Sequence, residues 1–220
     1  VGEKPFSDGM RTALIAGGTG LVGSQLLQLL LESDRYSKVV ALTRTELPTH
    51  PKLEQVPVTQ ETLSGGQHLK ADDIFCCLGT TIAKAKTKEN FYQVDFYYPL
   101  LLARSGYSSG ARQYMLISAL GADKESSVYY NRVKGEVEEA IRAVGFDALH
   151  IFRPSLLLGP RQEQRTGEDA AKFFYKIFGF LIPGKYKAID SAKIARGMLH
   201  YASQEQKGTF IHESKDLQQF

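Results

Sequence analysis

Bridgeable cysteine, long apolar runs, clustered histidine and strong net charge are all scarce in this chain, and each scarcity closes off a class of protein. The only two cysteines, Cys76 and Cys77, are neighbours in an apolar stretch. Adjacent cysteines are poorly placed to bridge each other, so no disulfide framework is expected, and a reducing compartment, the cytoplasm, is. No apolar run approaches the ~18 residues that cross a bilayer, so no membrane partner is expected. Lysine and arginine number 27 against 24 acidic residues, a net charge of only +3. With no arginine-rich run, and with Lys84, Lys86 and Lys88 read as a solvated loop, nucleic acid is not an expected partner either. The five histidines are scattered, and two cysteines without a histidine cluster make no metal site. No serine lies in G-x-S-x-G, so a hydrolase triad has no support. Residues 1–10 read as a flexible, polar N-terminus without a charged-then-apolar leader, and the missing initiator methionine reads as a trimmed or partial start.

What is present is concentrated near the amino end. At 220 residues the chain suits one sizeable domain. Residues 12–23 read TALIAGGTGLVG, a short apolar run that breaks into glycines and resumes as a leucine-rich helix. Ala13 to Ala16 form a buried strand in this reading. The run Gly17-Gly18-Thr19-Gly20-Leu21-Val22-Gly23 fits both G-x-G-x-x-G and G-x-x-G-x-x-G, two spellings of one strand-to-helix turn. Bare backbone there lets a pyrophosphate approach the helix start, whose free N–H groups and positive dipole end favour an anion. A dinucleotide cofactor is the expected ligand.

The rest of the chain alternates strands and helices. Helix residues run from Val22 to about Glu32, and strands are expected at 38–43, 53–58, 73–78, 113–118 and 148–153. A long helix, kinked at Pro99, is expected from Phe91, and others at 128–144 and 191–202; a short last strand covers 208–211. Such alternation predicts an α/β fold, a Rossmann-type doubly wound parallel sheet with a small C-terminal substrate cap. Residues 11–154 form the dinucleotide-binding core in this reading, 155–190 the short aromatic cap, and 191–220 a helix and strand returning to the core.

On a wheel of ~100° per residue, the helix of 128–144 carries Tyr130 inside its apolar stripe and Lys134 on the stripe's edge, with Glu136, Glu138 and Glu139 on the polar arc. A lysine there is commonly a snorkelling surface residue. The alternative is Y-x-x-x-K, which puts a phenol one turn from an ammonium. A phenol with a pKa near ~10 trades its proton at neutral pH only if a nearby cation favours the phenolate. Tyr130 then serves as general acid or base toward a carbonyl or alcohol, and Lys134 as the cation and as a holder of the nicotinamide ribose. Ser118, ending the fifth strand, reads either as the hydroxyl that holds the carbonyl oxygen or as an ordinary serine starting a turn before Gly121. Arg44 follows the second strand about 20 residues past Gly23, where an acid would bind the ribose of NAD(H) and an arginine a 2′-phosphate. NADP(H) is therefore the expected cofactor, with NAD(H) second. Leu78, Gly79 and Thr80 end the fourth strand beside the cofactor path.

With these residues in place, the chain resembles the short-chain dehydrogenase/reductase superfamily, in its atypical extended branch. FCCLGTT at 75–81, GAD at 121–123, VKGEVE at 133–138, FRP at 152–154, and RQE at 161–163 followed by Arg165 are similar to the Tat-interacting protein family of NADPH-binding oxidoreductases. The resemblance implies that Thr19 to Val22 contact the cofactor phosphates, Arg44 the 2′-phosphate, and Tyr130 and Lys134 the reaction centre, with Leu157 and Arg165 on the far side of the site. It implies an oxidoreductase with a small-molecule substrate, working as a monomer or weak homodimer. A regulatory protein that senses NADP(H) or docks partners without turnover is the alternative.

Overall fold

The computed structural model describes residues 11–66, 69–158 and 187–220. Seven parallel strands form one sheet in the order β3-β2-β1-β4-β5-β6-β9. The strands are β1 (Arg11–Ala16), β2 (Tyr36–Thr43), β3 (Leu53–Pro57), β4 (Asp73–Cys76), β5 (Gln113–Ile117), β6 (Ala148–Arg153) and β9 (Gly208–Glu213). The helices are α1 (Leu21–Glu32), α2 (Gln60–Ser64), α3 (Ile82–Ala85), α4 (Lys88–Tyr92), α5 (Tyr98–Ser108), α6 (Tyr129–Arg142), α7 (Ser191–Ser203) and α8 (Ser214–Leu217). Strands β7 (Leu157–Leu158) and β8 (Ile189–Asp190) pair with each other as a separate two-stranded piece. The chain winds outward from β1 to β3, then crosses to β4 on the other side of β1. That reversal opens a crevice beyond the carboxyl ends of β1 and β4, the usual ligand position in such sheets.

The period-two alternation of the strands divides the core into two layers. Leu14, Ala16, Val40, Leu42, Ile74 and Leu116 face α2, α5 and α6. Ala13, Ile15, Val39, Ala41, Phe75 and Met115 face α1 and α7. Leu26 and Leu30 of α1 are wholly buried, each contributing about 1.5–3 kcal/mol from removal of its surface from water. Both faces of the sheet are covered, which is why the central strands read as unbroken apolar runs.

The expected elements are present with shifted ends, and two differences bear on the site. The long helix expected from Phe91 is divided into α4, a π-helical turn at Gln93–Tyr97, and α5. Pro99 lies in the first turn of α5, directly after the π-helical turn; proline cannot supply the N–H that an unbroken α-helix would need there, which matches the change of helical hydrogen bonding just before it. The cap expected at 155–190 falls mostly outside the described residues, apart from β7, β8 and their flanks.

Candidate cofactor and active site

The turn after β1 is built from main chain. Gly17 has φ of +87°, and a Cβ there would stand 2.5 Å from the carbonyl oxygen of Cys77. A Cβ on Gly23 would lie 2.1 Å from the Gly17 oxygen. Any side chain at either place pushes β1, β4 and α1 apart. Gly18 is buried, and an added Cβ would make an ordinary contact with Leu27 at 3.5 Å, whereas Gly20 is exposed and a Cβ there would sit a tight 3.3 Å from the Gly17 oxygen. Gly20 N-caps α1 without a side chain to occupy the first-turn N–H groups, so the helix start remains an anion-binding end. Thr19 is exposed, Leu21 half-buried and Val22 buried. These residues fit a pyrophosphate.

Across the crevice, α6 presents Tyr130, Lys134 and Glu138 at one-turn intervals. Tyr130 is half-buried, with its ring 5.6 Å from that of Phe91. Lys134 does not snorkel. Its side chain is 6% exposed and its Nζ lies 2.7 Å from Oδ1 of Asp95, which is wholly buried. The π-helical turn is the element that carries Asp95 inward. Its other oxygen, Oδ2, accepts a hydrogen bond of 2.8 Å from the backbone N–H of Thr80, so one carboxylate ties the end of β4 to the α6 lysine. Gly79 lies alongside, where an added Cβ would be 3.7 Å from Nζ. Burial works against the charge on Lys134, but Asp95 and then Tyr130 outweigh it, and its pKa stands above that of an ordinary lysine.

Ser118 has a different setting from the one expected. It is buried, and its hydroxyl donates to Oε1 of Glu138. Glu138, placed on the polar arc by the helical wheel, is only 2% exposed. It also pairs with Arg153 of β6, whose Nε donates to the same Oε1 at 3.0 Å and whose second nitrogen bonds Oε2. The correction has a simple physical reason: a carboxylate can enter an apolar stripe when a guanidinium and a hydroxyl satisfy its oxygens. The spacing of Tyr130, Lys134 and Glu138 was the signal for it. The GAD and VKGEVE blocks pack together, since a Cβ on Gly135 would stand 2.3 Å from the backbone carbonyl carbon of Asp123.

Arg44 is exposed after β2, between Thr43 and Thr45. Leu78 packs against the core layer beneath α5 and α6. Leu157 pairs with Ile189, and Arg165 lies outside the described residues. Cys76 and Cys77 are free thiols, and burial pushes that of Cys76 up. The scattered histidines are not all apart in space: His150 and His212 stack with their Nδ1 and Nε2 3.0 Å apart. Among the described residues, no group of three or more metal-binding side chains occurs, and no helix is long and apolar enough to cross a membrane.

With this geometry in view, comparison with known proteins is decisive for the family. The NAD dependent epimerase/dehydratase family is matched over residues 13–178. The chain belongs to that family. Within this extended short-chain dehydrogenase/reductase group, it is 36% identical over 207 residues to protein HTATIP2 of Rattus norvegicus, covering 90% of this chain and 84% of the relative. It is 34% identical over 202 residues to the mitochondrial protein fmp52 of Aspergillus clavatus, covering 87% and 86%. The family fold is also that of the Bordetella bronchiseptica enzyme WbmH in complex with NAD+, with a TM-score of 0.72 at 16% identity, covering 94% of this chain and 76% of that one. Several fungal members are named mitochondrial, which overturns the cytoplasmic expectation. That expectation rested on two unbridged cysteines, and adjacent cysteines that are poorly placed to bridge each other carry no information about the compartment.

Proposed function

We propose that this family member is an NADP(H)-dependent oxidoreductase acting on a small carbonyl or alcohol substrate, and that it works in the mitochondrion as its fungal relatives' names indicate for them. The observation that carries this reading is the buried Asp95–Lys134 ion pair, one helical turn from Tyr130 and bonded through Thr80 to the segment after β4 whose Cys77 carbonyl packs on the glycine turn. When bound, a nicotinamide gives or takes the hydride. The glycine turn and the start of α1 hold the diphosphate, and Arg44 holds a 2′-phosphate. Asp95 keeps Lys134 protonated, and the ammonium orients the ribose and steadies charge developing on Tyr130. Tyr130 delivers its phenolic proton to the substrate oxygen as that oxygen gains charge, and recovers it in the opposite direction. The substrate is a small molecule, and the chain acts as a monomer or weak homodimer.

One observation favours the non-turnover alternative: the Ser118 hydroxyl is committed to Glu138, and the next residue, Ala119, has no hydroxyl to offer a carbonyl oxygen. Two measurements separate the readings. Titration with NADPH and NADH, repeated on Arg44→Ala, should show a preference for NADPH that the variant loses; equal affinities throughout would remove the cofactor assignment. Small aldehydes and ketones assayed with NADPH should lose about 100-fold or more of their turnover in Tyr130→Phe, while cofactor affinity changes little. Cofactor binding with no turnover of any carbonyl would favour the regulatory role.

A further inference from the structure

The residues around Arg44 contain a device that its exposed position conceals. Beyond Thr43, strand β2 runs out of ladder partners: Thr43 is opposite Pro57, and the Thr43 carbonyl is taken by the N–H of Val58 at 3.0 Å. The chain from Arg44 to Glu46 is exposed, and such a tip would ordinarily sample many conformations. Here it is held at both ends. On one side the Thr43 hydroxyl donates to the carbonyl of Thr45 at 2.6 Å and accepts from the Thr45 N–H at 3.2 Å. On the other, the side-chain amide of Gln55, in the middle of β3, bonds both backbone groups of Leu47. Its Oε1 accepts from the Leu47 N–H at 2.7 Å and its Nε2 donates to the Leu47 carbonyl at 2.9 Å.

One side chain thus does the work of a missing neighbouring strand, and only one orientation of the amide satisfies both bonds. The half-buried Leu47 side chain packs, with Leu53, against the core layer that contains Ile15, which anchors this end of the tip. We infer that Gln55, together with Thr43, is a positioning residue for dinucleotide selectivity: the two clamps shape the Arg44 tip in advance, so that its guanidinium meets a ribose 2′-phosphate without first ordering the loop. This rests on the cofactor reading above and adds to it the means by which one surface arginine becomes selective. A preformed loop binds more tightly because ordering it costs nothing at the moment of binding.

The test is a binding titration, followed by cofactor fluorescence and needing no substrate. NADPH and NADH are titrated into wild type, Gln55→Met, Thr43→Val and Arg44→Ala. Gln55→Met keeps the side chain's length and removes both bonds, and it should weaken NADPH about tenfold, with NADH altered less than about twofold. Thr43→Val should act in the same direction and stands in if Gln55→Met fails to fold. In the Arg44→Ala background, Gln55→Met should add no further loss of selectivity. If Arg44→Ala abolishes the preference while Gln55→Met and Thr43→Val retain it, the clamp idea is overturned and the cofactor reading stands. A parallel loss of NADPH and NADH affinity would mean a general structural role, which also overturns it. A wild type without preference, or one whose preference survives Arg44→Ala, would sink the cofactor reading and the clamp with it.

Discussion

The two ends of the sheet each bury an aspartate against cations, and they do so with different cations. At the amino end of the strands, Asp73 is wholly buried beneath Arg11 and Arg35, each with a nitrogen 3.5 Å from it. Tyr36 donates to its Oδ2 at 2.8 Å and Gln113 to its Oδ1 at 3.0 Å. Glu205 then takes up both arginines from the far side. At the carboxyl end, Asp95 has one cation, Lys134, and one backbone N–H. Its Oδ1 faces the ammonium but makes no hydrogen bond of good geometry among the described residues. An arginine cannot give up its proton within a protein, whereas a buried lysine can, and presents its charge as a compact point with three donors. The amino end is therefore a fixed-charge lock. The carboxyl end is a site where a charge can be shared with a ligand, and the crevice lies there.

Removing one buried aspartate at a time should show the two ends behaving differently. The largest effect is expected from Asp73→Ala, which leaves the buried Arg11 and half-buried Arg35 with only the part-exposed Glu205 as a counter-charge and should cost about 3–5 kcal/mol of unfolding free energy, read from urea denaturation, while the remaining folded molecules bind cofactor normally. A loss no larger than that of a surface variant would remove the distinction between the ends.

A smaller effect is expected from acid, at neither end of the sheet. His150 and His212 are held down to about 4, by burial in both and, for His150, by the neighbouring imidazole. Unfolded histidine takes up its proton near ~6.5. Between those values the unfolded chain binds more protons, so stability should fall as pH drops from about 6.5 toward 4, by at most on the order of 3 kcal/mol per ring if each titrated alone, and by less where solvent screens the charge. Urea midpoints across that window check it, and His212→Phe should flatten the profile. A midpoint independent of pH there would show that the pair does not titrate as placed.

The smallest effect on stability, and the one that reports on chemistry, belongs to Asp95→Asn. The amide oxygen still accepts from Thr80, but the attraction that outweighed burial is gone, so Lys134 should lose its proton more readily than an ordinary lysine. Because it can neutralise itself, the cost should stay near about 1–2 kcal/mol, below that of Asp73→Ala. Lysine side-chain NMR titration should find Lys134 below its wild-type pKa, with turnover at neutral pH down about tenfold. An unmoved Lys134 would show that Asp95 does not hold its charge.

Much of the fold could be read from the chain itself. The glycine turn, the strand order in sequence and the Tyr130–Lys134 stripe all rest on local spacing, and each appears at its expected place. The readings that changed involve partners distant in sequence. Glu138 reads as a solvent-facing residue until β5 and β6 bring Ser118 and Arg153 to it. Gln55 reads only as one residue of the strand expected at 53–58 until Leu47 folds back over it. Lys134 was ambiguous between snorkelling and service until the π-helical turn put Asp95 against it.

Short-range spacing settled most of the strands and helices, the place where backbone must be bare and the main apolar face of α6, because those properties depend on residues within a turn or two of one another. Only the tertiary structure decided which buried charges are paired, and with what. Packing seven strands in an order different from their sequence brings remote side chains within bonding distance, and a polar group's role depends on the partner it finds there.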